Sequence, residues 1–242
     1  MGQTINLGVQ TSVPGCSPGL TAYATRPPGT ERLPGVVVLH EGFGLEDITR
    51  RQADHMASLG YVVVAPDLFS AGGARRCLKA TFQAMRKGEG RAFQDIAAAR
   101  QWLLDREDTT DQVGVIGFCM GGAFALLTAA GHGFDVSAVN YGMLPSTPDV
   151  LAGACPVVAS YGGSDRALPG AAGKLETQLG RLGVEHDVKE YPDAGHAFLN
   201  DEETGPWFLR PVLKVMGAGP EPASAEDAWG RIEQFFARHL AR

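Results

Sequence analysis

No stretch of about 18 consecutive apolar residues occurs in the 242-residue chain, so no membrane-spanning helix is expected. Residues Met1 to Pro14 lack a basic segment followed by an apolar one, so no secretory leader is expected and the cytoplasm is the expected location. Basic residues are outnumbered, 21 against 27 acidic ones, and the net charge of −6 argues against a nucleic-acid surface. The nearest approach to a basic stripe is Arg75-Arg76 with Lys79, Arg86, Lys87 and Arg91. Glutamines and Glu89 interrupt it, and it reads as a solvated helical face. Cysteine is scarce and scattered. Cys16, Cys77, Cys119 and Cys155 form no CxxC pair, which suits neither a zinc site nor a disulfide scaffold. Internal repeats, low-complexity tracts and clear linkers are also missing.

What is present is an ordinary globular balance, 44% hydrophobic and 20% charged, in a chain long enough to bury its own core. Short apolar runs alternate with helical segments. Val36 to His40, Tyr61 to Ala65 and Val113 to Gly117 are continuous runs, as expected of strands buried on both faces. Val136 to Tyr141, Pro156 to Tyr161 and Val184 to Tyr191 supply three more. Helices are expected over Thr49 to Leu59, Ala92 to Asp105, Gly121 to Ala130, Lys174 to Leu182 and Ala225 to Leu240. The last of these sets Trp229, Ile232, Phe236 and Leu240 on one face. The pattern predicts an α/β fold with a mostly parallel central sheet and helices on both faces. The first thirty residues read as an antiparallel edge hairpin, and Gly205 to Pro222 as a surface excursion. One domain is expected over 1–242.

The chemically informative segment is Gly117-Phe118-Cys119-Met120-Gly121-Gly122, between a predicted strand and a predicted helix. This is the G-x-nucleophile-x-G elbow, with cysteine where serine is commoner. A turn that tight strains the central residue, so the flanking positions must lack bulk. It also aims a helix N-terminus at the sulfur, which favours thiolate, and leaves the Met120 N–H for an oxyanion. Read alone, the motif could equally be a packed turn around a buried thiol. Candidate partners follow in hydrolase order, acid and then histidine: Asp165 after the run ending at Tyr161, and His196 after the run ending at Tyr191. The three are expected to converge at the C-terminal edge of the sheet, where α/β ligands bind. The second oxyanion donor is expected from His40-Glu41-Gly42-Phe43-Gly44, with the Gly42 N–H the natural candidate. Glu41 is less expected beside a thiolate, and it could simply cap the following helix.

These segments, with Ala65-Pro66-Asp67-Leu68-Phe69, Gly162-Gly163-Ser164-Asp165 and Ala194-Gly195-His196, resemble the dienelactone hydrolase family of α/β-hydrolases. The resemblance implies a single hydrolase domain without metal or organic cofactor that cleaves a small lactone or ester through an acyl-cysteine. It also implies a task for Glu41: keeping the resting thiol protonated until substrate arrives, then swinging away or accepting its proton. Family members that act on dienelactone bind its carboxylate with arginines, one a few residues beyond the histidine. Here Ala197-Phe198-Leu199-Asn200-Asp201 follows, and the candidate arginines are Arg75, Arg76 and Arg210. The expected partner is a small ester or lactone, with the chain a monomer or weak homo-oligomer. Two other classes share a cysteine elbow. A glutamine-amidotransferase-like protein would carry a glutamate two residues after the histidine, where Phe198 stands. A thiol redox sensor would not need Asp165 and His196 in hydrolase order.

Overall fold

The computed structural model describes residues 2–10, 13–203, 205, 207–208, 210–215 and 217–240. The side chains of Arg75, Val212 and Val215 lie outside the described set. The chain opens with β1 (Gln3–Asn6), α1 (Leu7–Gln10), β2 (Thr21–Thr25) and β3 (Leu33–Leu39). Then come α2 (Asp47–Ser58), β4 (Val62–Pro66), α3 (Ala74–Lys87), α4 (Arg91–Leu104) and β5 (Thr109–Phe118). The second half contains α5 (Met120–Thr128), β6 (Val136–Asn140), β7 (Val157–Gly162), α6 (Ala171–Arg181) and β8 (His186–Tyr191). A short α7 (Arg210–Val215) and a long α8 (Pro222–His239) complete it.

The strands form one eight-stranded sheet in the order β1-β2-β4-β3-β5-β6-β7-β8. Pairings β1–β2 and β2–β4 are antiparallel and the remainder parallel, so the expected edge hairpin sits on an otherwise parallel sheet. The continuous apolar runs follow from burial on both faces. In β3, Val37 and Leu39 join a core beneath α4, α5 and α6, whereas Val36 and Val38 join a second core beneath α2 and α8. Each such side chain contributes about 1.5–3 kcal/mol when fully buried, which outweighs any local preference for turn or helix.

Differences from expectation lie at ends and in one loop. β5 starts at Thr109 rather than Val113, because Leu33 pairs with Thr109 across a register shift that polar residues gave no reason to suspect. The helix expected from Ala225 begins three residues earlier. Pro222 occupies its first turn, and the Glu221 carboxylate accepts from the Ala223 and Ser224 N–H groups at 3.3 and 2.8 Å. The interrupted basic run falls on α3 and the first residue of α4, with Arg76, Lys79, Arg86, Lys87 and Arg91 exposed to solvent. The Gly205-to-Pro222 segment does more than cross the surface. After α7 it turns back, so that Gly219 N–H donates to His196 O at 2.9 Å and Glu221 N–H to Phe198 O at 3.2 Å. It therefore forms one wall of the loop that carries His196.

Glycine is essential where β5 meets α5. A Cβ on Gly121 would lie 2.1 Å from Leu39 O, and one on Gly142 would lie 2.4 Å from the Gly122 carbonyl carbon. Gly173, exposed in α6, has nothing within 4 Å of its Cβ position. Gly121→Ala should therefore destabilise by about 1–3 kcal/mol or more, because backbone must move. Gly173→Ala should stabilise by roughly 0.5–1 kcal/mol through helix propensity. Urea unfolding of the two variants measures both signs.

Candidate active site

Cys119 is the single residue between β5 and α5, with φ 54° and ψ −113°. A non-glycine residue in that region costs about 1–3 kcal/mol and persists only when its surroundings impose it. Here they do. Cys119 N–H donates to Asn140 O at 3.0 Å, and the Asn140 carboxamide donates to Gly117 O at 3.2 Å. A Cβ on Gly117 would lie 2.0 Å from Gly121 O, so α5 can start directly against the strand end. Cys119 itself is half-buried. As the first residue of α5, Met120 has an amide with no intrahelical acceptor.

Asp165 and His196 stand on the loops after β7 and β8, and these loops clamp each other. Gly163 N–H donates to Tyr191 O at 2.8 Å and Ser164 N–H to Ala194 O at 2.9 Å. The result is a contact of 2.6 Å between His196 Nδ1 and Asp165 Oδ2, with the Asp165 side chain only 1% exposed. The second Asp165 oxygen accepts Ala167 N–H at 2.8 Å. Burial works against ionisation of Asp165, but its bonds to His196 and to backbone N–H groups hold the carboxyl below its usual range. Burial likewise opposes the imidazolium. The bond to Asp165 and the contact with the Cys119 sulfur prevail and push His196 up to about 10. The three residues singled out from sequence are thus brought together at the C-terminal edge of the sheet.

The loop carrying Glu41 and Gly42 is set by His40, a residue whose part in the site the sequence did not signal. His40 is fully buried, and its Nδ1 lies 2.6 Å from Glu41 O. Its Nε2 accepts Leu68 N–H at 3.0 Å, which puts the ring proton on Nδ1. Burial lowers its pKa, so the ring stays neutral and ties the β3 exit to the β4 exit. Gly42 has open space around its Cβ position. Glu41 neither faces solvent nor caps α2. It is 6% exposed, and its Oε1 accepts from Asn200 Nδ2 at 3.1 Å and from the Tyr141 hydroxyl at 3.4 Å. Tyr141, in a left-handed conformation at φ 42°, places its ring 5.1 Å from that of His196.

The candidate arginines are dispersed. Asn200 occupies the stretch just beyond His196 and is buried against Glu41. Arg210 donates to Gly205 O at 3.0 Å and lies near Glu46. Burial and then Glu41 raise the Glu46 carboxyl, and Arg210 opposes that rise. Arg76 lines a separate cavity between α3 and α4 with Cys77, and the Arg75 side chain is outside the described set. Among the described residues no cluster of three His, Cys, Asp or Glu could hold a metal ion, and no helix is long and apolar enough to cross a membrane.

The dienelactone hydrolase family matches residues 20–240. The chain belongs to that family. A carboxymethylenebutenolidase of Rhodococcus opacus is 29% identical over 96% of each chain. Among solved structures, a dienelactone hydrolase from Anabaena variabilis superposes with a TM-score of 0.72 at 18% identity, covering 100% of this chain and 99% of its own. A dienelactone hydrolase-like promiscuous phosphotriesterase from metagenomic libraries gives 0.72 at 23% identity over 92% of both chains. Within the family this protein is an ester or lactone hydrolase.

The raised His196 value makes a measurable signature. A histidine held above its unfolded value of 6.5 stabilises the fold fully below that pH, and the contribution fades as pH climbs through about 10. Asp165→Asn removes the carboxylate, so the His196 imidazole should titrate well below about 10, followed by NMR of its ring protons. The stability difference between the variant and wild type should narrow as pH rises through the same window.

Proposed function

We propose that this protein, as one hydrolase domain, cleaves a small neutral ester or lactone through an acyl-cysteine on Cys119, with His196 and Asp165 completing the triad. The observation that carries the reading is the 2.6 Å contact between Asp165 and His196, beside a cysteine held at φ 54° at the end of β5. His196 takes the Cys119 thiol proton, the resulting thiolate attacks the carbonyl carbon, and the carbonyl oxygen takes the displaced electron pair. The N–H groups of Gly42 and Met120 receive that oxyanion. Collapse breaks the carbon–oxygen bond, and the His196 imidazolium protonates the departing alkoxide. His196 then takes a proton from water, whose oxygen attacks the thioester and releases acid and thiolate. Asp165 keeps the ring proton on Nδ1 and stabilises the imidazolium. His40 plays no part in proton transfer and only anchors the Gly42 loop.

Esters and lactones suit this machinery because an alkoxide leaves a thiolate adduct readily, whereas an amine needs prior protonation. The buried Phe198, packed 5.8 Å from Tyr141 and 5.1 Å from Tyr191, leaves no acid where a glutamine amidotransferase would carry one.

Turnover of p-nitrophenyl acetate should vanish in Cys119→Ala and persist in Cys77→Ala. Asp165→Asn should lower it by about 10⁴-fold, since the imidazole loses its tautomer. Retained turnover in Cys119→Ala would refute the triad and leave the thiol as a redox centre.

Asn200 presents a neutral carboxamide that is already bonded to Glu41, so a substrate carboxylate gains no charge-assisted contact there. Neutral lactones and short esters should therefore exceed dienelactone in kcat/KM. Efficient dienelactone turnover that disappears in Arg210→Ala, Arg76→Ala or Arg75→Ala would identify an arginine anchor instead.

A further inference from the structure

We propose that the groove between α3, α4, α5 and the loop after β6 is a second binding site, for a small carboxylate with an apolar tail. None of Cys119, Asp165 and His196 lines it, so the site goes beyond the hydrolase reading and does not depend on it.

The groove encloses about 680 Å³, within the size range of small-molecule sites. Its floor is part of the core. Met85 of α3 and Phe93 of α4 are buried there, and Leu127 of α5 is half-buried beside them. Its lip carries Met143 and Val150, which are 44% and 47% exposed. Large apolar side chains held in water at a concave surface gain burial when a ligand covers them. The loop that bears this lip is fastened at both ends. Gly142 packs against Gly122 with no room for a Cβ, and Leu151, closing the 3-10 turn Pro148–Leu151, is fully buried.

Charge then narrows the ligand. Arg86 and Lys87, the last two residues of α3, line the groove, and among the described residues no acid does. Asp149, the one acid of the loop, pairs instead with Arg181 of α6 at 2.5 Å. His132 stacks on Phe93, with ring centroids 5.5 Å apart and planes 26° from parallel. Burial lowers its pKa, so near neutrality it offers a flat neutral surface rather than a third charge. The neighbouring cavity between α3 and α4 lacks this polarity, since Glu89 and Asp95 share its wall with Arg76, Lys87 and Arg91. Two cations beside an apolar trough match an amphiphile with one anionic end. A guanidinium can take both oxygens of a carboxylate at once, whereas an amine would meet like charge. The two methionines suit a tail of adaptable shape.

The test is a titration of octanoate into protein carrying ¹³C-methyl methionine, followed by NMR of the methyl groups. Met143 and Met85 report the groove, and Met120, next to Cys119, reports the catalytic edge. Octanoate should shift Met143 and Met85 along one saturation curve, whatever happens at Met120. Octan-1-ol and octylamine should bind about tenfold more weakly, and acetate should leave both signals still. Arg86→Gln combined with Lys87→Gln should weaken octanoate by about tenfold, to the level of the alcohol. Met143→Glu, at an exposed position, should abolish the Met85 shift by placing an acid on the lip. Shifts confined to Met120 would put the carboxylate at the catalytic edge and overturn the second site. Equal affinity for octanoate and octan-1-ol would reduce the groove to an apolar patch and overturn it too. So would movement of the Met143 signal on diluting the protein alone, which marks the lip as a contact between two copies. None of these readouts uses the Cys119 chemistry, so failure here is separate from failure of the triad.

Discussion

The close approach of three backbone segments at the β5–α5 junction is the constraint on which the site depends. Leu39 and His40 at the end of β3, the first turn of α5 and the Asn140-to-Gly142 stretch after β6 come so near that Gly117, Gly121, Gly122 and Gly142 have no room for a side chain. Their contact forces Cys119 into a conformation it would not choose. Loosening any one of these approaches would release the strain. It would also withdraw the α5 N-terminus from the sulfur.

Around that junction the chain concentrates ionisable groups that would be costly if unpaired. Asp165, Glu41 and His40 are each nearly or fully buried, and each is bound by named donors or acceptors. The two carboxylates are treated differently. Asp165 faces an imidazole that it can charge, so the pair favours ions on both sides. Glu41 faces a carboxamide and a phenol, which orient it.

The loop walls are also shared. Residues 217–221 return from α7 to bond His196 and Phe198, while Arg51 of α2 holds Asp201. The His196 loop is therefore fixed from both sides by segments that carry no catalytic group. Substitutions in either segment act on the site through this loop.

Most strands and helices, the order Cys119, Asp165, His196 and the elbow itself were legible in the sequence. The reason is that each depends on neighbouring residues: β-branched runs, helical spacing, and glycines two positions from the strained one. The bounds of β5 and α8 were less legible, because a register shift and a capping glutamate act at the edge of an apolar pattern rather than within it. Only tertiary structure decided where Glu41 points. Its partners lie 100 and 159 residues away along the chain, and Gln52 meets Asn200 across 148. Tyr141, Asn200 and Gln52 are common residue types with no local signature. What unites them is that their strand ends and helix arrive at one edge of one sheet, and strand order, unlike a turn, is set by the packing of the whole chain.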